Sequence, residues 1–288
     1  MRTAMRRRSF LRTTVGAGAA LALPPSILQA CRPEPAPVLA RLDPIGVQLY
    51  TIRDLVRDDM AAALSAVADI GYSEVEFAGY FDHDPVEIRS WLDGAGLTAP
   101  AAHVFPLEVD HLEPVLESAS VLGHRYLVVP WIPSEQRETL DGYRRVAERF
   151  NTVALAVREA GLQFAYHNHH FEFEPIDGQV PFDVLLEETD PDLVQIELDL
   201  FWIIHGGGDP YDYFARYPGR YPLVHVKDRL ADGAMVDVGD GAIDFAAIFS
   251  RSEQAGIRHY FVEHDRPDDP LESLRRSYAY LEGMMVGK

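Results

Sequence analysis

From Pro44 to the C-terminus, short β-rich runs alternate with longer helical stretches, and the alternation repeats eight times. Runs at 45–50, 74–78, 99–104, 126–131, 163–168, 194–200, 223–227 and 260–263 read as strands. Helical periodicity falls between them near 60–70, 88–92, 112–122, 136–160, 182–188, 211–217 and 245–255, and a closing helix covers 271–284. In the first of these, Ala61, Leu64, Val67 and Ala68 recur at the spacing of one apolar helix face. Several helical stretches end on a glycine just before the next strand (Gly71, Gly96, Gly123, Gly161, Gly256), which is the residue of left-handed C-caps. Strand–helix alternation implies parallel pairing through right-handed crossovers. Eight such units in about 245 residues predict an α/β fold, a closed (β/α)8 TIM barrel. The rival architecture is an open doubly wound sheet. Its glycine-rich nucleotide loop does not follow the first strand.

The composition fits one sizeable core, with 47% hydrophobic residues over 288 positions. Acidic residues outnumber basic ones by 45 to 26, a formal charge of −19 that disfavours nucleic acid and anionic membranes as partners. The first 31 residues differ from the rest. A basic start, a short apolar run and small residues at the exit read as an export signal. Arg7-Arg8-Ser9-Phe10-Leu11 resembles the twin-arginine signal, and Cys31, directly after Leu28-Gln29-Ala30, resembles the cysteine of a bacterial lipobox. An ordinary signal-peptidase site is the alternative at Cys31. The expected location is exported, periplasmic or facing the periplasm from a lipid anchor, with membrane contact only through Cys31. Residues 32–43, rich in proline and alanine, read as a tether to a catalytic domain at 44–288. Cys31 is the sole cysteine, so an internal disulfide and a thiolate metal cluster are both excluded.

In a barrel of this kind the reaction is carried out at the C-terminal ends of the strands. Strand five ends in His167-Asn168-His169-His170-Phe171-Glu172, and strand six in Glu197-Leu198-Asp199-Leu200-Phe201-Trp202. Strand seven ends in His225-Val226-Lys227-Asp228, and strand eight in Glu263-His264-Asp265. Gln48, Glu76 and His103 stand at comparable places on earlier strands. Singly, each has a structural role open to it: Asp228 or Asp265 as a helix cap, Glu197 as a buried partner on the face of Asp199. Together, so many carboxylates at one rim repel one another unless a cation sits among them. Imidazole with carboxylates and no thiolate favours Mn²⁺ or Mg²⁺, with Zn²⁺, Co²⁺ or Fe²⁺ as further options.

The pattern resembles the xylose-isomerase-like TIM barrels, the sugar phosphate isomerase/epimerase superfamily, over residues 45–283. In its epimerases the metal is held by a glutamate on strand five, an aspartate on six, a histidine on seven and a glutamate on eight. Asp199, His225 and Glu263 match the last three. At strand five the chain departs from that pattern: His167 stands in the glutamate's place, in a His-Asn-His run more like the inosose dehydratase branch. The resemblance thus implies metal ligands Glu172, Asp199, His225 and Glu263, with Glu172 folding back from beyond the strand and His167 as its substitute.

The implied activity is that of a sugar isomerase or epimerase on a small-molecule carbohydrate. The metal binds a carbonyl and its neighbouring hydroxyl, and a base removes the adjacent proton. Glu263, His167 and His169 are candidate bases, and Lys227 a candidate partner for the developing oxyanion. His103, Asn168, Trp202 and Glu76 are expected against substrate, and Trp131 and Phe105 offer further apolar faces for a sugar ring. Two alternatives stand beside this: a lyase or dehydratase expelling a β-leaving group from a keto-sugar or 3-keto-glycoside, and an exported sugar-binding protein without a reaction.

Overall fold

The computed structural model describes residues 39–105 and 109–287; the expected signal over residues 1–31 and the tether up to residue 38 lie outside them. The eight expected strands close into one parallel barrel. They are β1 (Gly46–Gln48), β2 (Glu74–Phe77), β3 (Thr98–His103), β4 (Tyr126–Val129), β5 (Gln163–His167), β6 (Val194–Asp199), β7 (Leu223–Val226) and β8 (His259–Val262). Each strand pairs with the next, and β8 returns to β1 through the register Phe261 to Gly46.

The helices around the barrel follow from local signals. The longest, Leu140–Glu159, buries Tyr143, Val146, Phe150, Val153 and Val157, one apolar stripe at helical spacing. Asp84, Asp209 and Asp269 each precede a proline at the first helical position, and each carboxylate accepts a backbone N–H of the first turn. Gly96, Gly123 and Gly256 end helices at φ of 71°, 79° and 85°, where a side chain would be strained.

Some boundaries differ from the sequence reading. The stretch expected as one helix over 136–160 begins instead as a 3-10 turn, Ser134–Gln136, and restarts at Leu140, where the Thr139 hydroxyl accepts the Gly142 N–H. The stretch at 245–255 is two short helices, Phe245–Phe249 and Ser252–Ala255. Two short helices went unforeseen, Arg53–Asp58 and Leu200–His205. Leu39–Arg41, assigned to the tether, is a strand paired antiparallel with Met285–Gly287. Three residues are too few for a periodic signal, and the pairing joins opposite ends of the chain.

Side chains alternate across a strand, so the barrel interior is filled in layers two residues apart. Ala101, Tyr126, Val128, Ala165, Leu223 and Phe261 form an apolar plug. Two residues further along four of those strands stand His103, His167, His225 and Glu263. The polar floor of the barrel mouth is therefore one strand period above the plug.

Beyond β7 the chain is fixed by one buried carboxylate. Asp228 caps no helix; its Oδ1 accepts the N–H of Arg229 (2.8 Å) and Ile243 (3.2 Å), and its Oδ2 those of Gly239 (2.9 Å) and Gly241 (3.0 Å). A methyl group on Gly241 would lie 2.1 Å from Asp228 Oδ1. We expect Gly241→Ala to lower unfolding free energy by ~1–3 kcal/mol in urea titrations. Wild-type stability in that variant would show that the loop does not depend on this contact.

Candidate active site

The polar groups at the mouth form two tiers. In the deeper tier two fully buried carboxylates, Glu76 and Glu197, lie among three imidazoles. Glu197 Oε2 is 2.7 Å from His103 Nε2, 3.1 Å from His167 Nδ1 and 3.1 Å from His225 Nε2. Glu76 Oε2 is 2.7 Å from His225 Nε2 and accepts from Gln48 Nε2 at 2.8 Å. An ionised carboxylate only accepts, so the ring nitrogens facing these oxygens carry the protons. Burial pushes Glu76 up to about 7, helped by the charge of Glu197. Burial pushes Glu197 the same way, but His225 and His103 outweigh it and hold Glu197 well below the usual range. One anion, Glu197, thus orients three histidines.

The upper tier uses the other ring nitrogens. Asp199 and Glu197 are two apart on β6 and share its inward face. Asp199 Oδ2 lies 3.6 Å from His167 Nε2 and 4.0 Å from His225 Nδ1, which is 2.6 Å from Glu263 Oε2. Lys227 Nζ bridges three carboxylates, at 3.0 Å from Asp199, 2.8 Å from Glu263 and 2.9 Å from Asp265. Burial raises Asp199 to about 6, partly offset by Lys227. For Glu263 the burial effect is overturned by Lys227 and His225, which keep it well below its ordinary value. The Asp199 backbone is set by Asn168, whose side-chain oxygen accepts its N–H at 3.0 Å, and Asp199 Oδ1 accepts the N–H of Trp202 at 2.8 Å.

Asp199 Oδ2 and His225 Nδ1 are both buried and make no hydrogen bond of regular geometry; their close neighbours are ionic, Lys227 Nζ for the one and Glu263 Oε2 for the other. Asp199, His225 and Glu263 each bring a ligand-type atom within 4.8 Å of the others. An imidazole nitrogen and two carboxylate oxygens gathered in this way are a donor set that suits a divalent cation. His103, His167, Glu197 and His225 form a second such group. There the nitrogens facing Glu197 bear protons, which suits hydrogen bonding better than ligation.

The structure brings Asp199, His225, Glu263, His167 and Lys227 together but keeps Glu172 apart. Glu172 is fully buried but belongs to neither group: one oxygen accepts the Tyr166 hydroxyl and the other the His169 N–H at 2.8 Å. The expected fold-back onto the cation site is therefore replaced by a structural role, and His167 occupies the β5 end. Glu76, expected against substrate, is likewise sealed beneath His225. Asn168 is buried as a backbone brace rather than at the cavity wall. Trp202 packs against His169 and His170 and is absent from the cavity lining. His103, His167, His169, Lys227, Glu263 and Asp265 do line a cavity of about 460 Å³. Glu197, left out of the expected site, proves central; the signal for it was its two-residue spacing from Asp199.

Burial raises Glu172 from 4.5 to about 8, with the Tyr166 and His169 hydrogen bonds opposing. The folded protein therefore favours the neutral carboxyl. This contribution to stability is complete below pH 4.5 and lost as pH rises through about 8. Glutamine imitates the neutral form, its oxygen accepting the His169 N–H and its amide donating to the Tyr166 hydroxyl oxygen. Relative to Glu172→Gln, the wild type should lose stability across that window, at most ~1.4 kcal/mol per pH unit. Denaturation curves that stay parallel across the window, or loss of bound metal in the variant, would overturn this placement.

The sequence pattern of the xylose isomerase-like TIM barrel matches residues 64–284. The chain is 27% identical over 257 residues to an inosose dehydratase of Geobacillus kaustophilus, covering 75% of this chain and 82% of that protein. An inosose dehydratase of Lacticaseibacillus casei is 26% identical over 169 residues, 51% of this chain and 56% of its own length. This chain thus spans only about half the length of some relatives. A solved sugar phosphate isomerase/epimerase from Parabacteroides distasonis superimposes with a TM-score of 0.73 at 27% identity, covering 82% of this chain and 96% of that one.

Proposed function

Because the chain belongs to the xylose isomerase-like TIM-barrel family, we propose that it is a divalent-metal-dependent lyase expelling a β-leaving group from a keto-sugar or keto-polyol. One observation carries the choice of elimination. The end of β5 offers an imidazole, His167, while the nearest carboxylate on that segment, Glu172, is locked between Tyr166 and His169. Proton exchange on two faces of a sugar by two carboxylates lacks its second member; elimination needs one base. The names of the inosose dehydratase relatives support the same reading.

His167, Asp199, His225 and Glu263 would hold the cation, Mn²⁺ or Zn²⁺ fitting the donor set. When bound, it supplies Lewis-acid polarisation of the substrate carbonyl. His169 lines the cavity and stays neutral, its basicity lowered by burial and then by Lys227, and its place on the cavity wall makes it the imidazole set to take the proton beside the carbonyl. Lys227, buried and cationic among three carboxylates, balances the negative charge that builds on the carbonyl oxygen. The electron pair then breaks the bond to the β-oxygen, which takes back the proton held by His169, departs as water or an alcohol and leaves an enone. Glu263 is committed to Lys227 and His225, which favours His169 over it as the base.

Incubating the metal-loaded protein in D₂O with inosose and 3-keto-glycosides tests the reading. An enone absorbance with loss of water or alcohol supports it. Deuterium uptake without loss of mass would favour isomerisation or epimerisation instead, the activity named for the Parabacteroides structure. No uptake and no product with any cation would sink both. Lys227 is the only ammonium or guanidinium among the described lining residues, and it is already engaged, which argues against a phosphorylated substrate. Export is part of the proposal, resting on the twin-arginine-like start and Cys31. Recovery of the full-length chain in the cytoplasm would contradict it.

A further inference from the structure

The cavity over the cluster has two unlike walls. The ends of β5, β7 and β8 supply His167, His169, Lys227 and Glu263, whereas the ends of β1, β3 and β4 supply Tyr50, Phe105 and Trp131. Phe105 and Trp131 stack on each other with centroids 4.6 Å apart and planes 24° from parallel. They are nevertheless 44% and 42% exposed, while Lys227 and Glu263 on the floor are 2% and 5% exposed. Among the described residues five aromatics are exposed (Tyr50, Phe105, Trp131, Tyr211, Tyr280), and three of them line this one cavity. Apolar faces left wet at one place mark a binding surface.

We infer that Phe105 and Trp131 bind a second ring, the leaving group of the substrate, so that the chain acts on keto-glycosides in preference to free single-ring sugars. The inference rests on the lyase reading. The gradient of exposure fixes the order: the reacting ring must reach Lys227 and His169 at the floor, and whatever departs from it points toward the mouth. The volume of about 460 Å³ lies within the ~300–1,000 Å³ typical of pockets for ligands larger than one ring. A flat stacked pair with free apolar faces suits a ring laid against it, sugar or aryl, and offers little to a small hydroxyl or water. The balance is the elimination already described, with the glycosidic oxygen as the β-oxygen and an alcohol as the product that leaves.

Binding can be separated from turnover. A glycoside with no ketone has no acidified C–H, so it binds without reacting. Phenyl β-glucopyranoside and methyl β-glucopyranoside are titrated into the metal-loaded full chain, with saturation-transfer NMR locating the contacts. The phenyl glycoside should bind more tightly than the methyl glycoside, and Trp131→Ala should cut the ratio of their dissociation constants about tenfold. Trp131→Phe should restore most of it, which a general structural defect would not allow. A ratio unchanged in Trp131→Ala and in Phe105→Ala would overturn the subsite. Equal affinity of the wild type for the two glycosides would overturn it too, leaving the lyase reading intact. Binding of neither, together with no product from keto-substrates, would bring down both.

Discussion

Asp199→Asn should fold as the wild type does, lose its bound metal and turn over ~10³-fold more slowly or worse, several kcal/mol of transition-state stabilisation. The substitution is nearly isosteric. The asparagine side-chain oxygen still accepts the Trp202 N–H that starts the helix after β6, so the local backbone keeps its cap. What disappears is the anionic Oδ2, the buried oxygen that faces His167 Nε2, His225 Nδ1 and Lys227 Nζ. Metal content by elemental analysis, beside circular dichroism and turnover, checks the three parts separately. Undiminished metal in the folded variant would refute the assignment of Asp199 as a ligand.

The second large effect is expected one tier lower. Glu197→Gln should weaken metal binding ~10–100-fold, the usual cost of removing a carboxylate that orients ligating histidines. Glu197 Oε2 fixes the protons on His167 Nδ1 and, with Glu76, on His225 Nε2, so that the opposite nitrogens, which face Asp199 and Glu263, are the ones available to ligate when a cation displaces the proton shared by His225 and Glu263. A carboxamide carries no charge and brings N–H groups of its own, so the rings lose the reason to hold that tautomer. Competition with a chelator gives the affinity, and Co²⁺ absorption reports the ligand field without reference to activity. An unaltered affinity and spectrum would show that Glu197 serves only the packing of the barrel interior.

These two residues sit two positions apart on one strand, yet they differed in how far the chain itself disclosed them. Asp199 could be picked out because, with His225 and Glu263 on the two following strands, it matches the ligand pattern of the family that the chain resembles. Glu197 read equally well as a buried pair or as a functional group, since alternation states which face it shares and not what lies across the barrel. Glu172 shows the reverse error. Its place beyond β5 suggested a ligand, but the 3-10 turn Phe171–Phe173 directs it down onto Tyr166 and the His169 amide. Glu76 and Asn168 were misjudged for the same reason: strand-end position was legible, depth beneath the mouth was not.

Taken alone, the order of residues determined the eight-fold alternation, the glycine and Asp-Pro punctuation of the helices, and the set of imidazoles and carboxylates at one rim. All of these rest on periodicities of two and 3.6 residues, which need no contact beyond a few neighbours. Closure of the barrel decided the rest. His103 meets Glu197 across 94 residues and His225 meets Glu76 across 149, so which nitrogen faces which oxygen depends on strand register around a ring. That register is set by packing summed over the whole circle, and no local stretch of chain contains it.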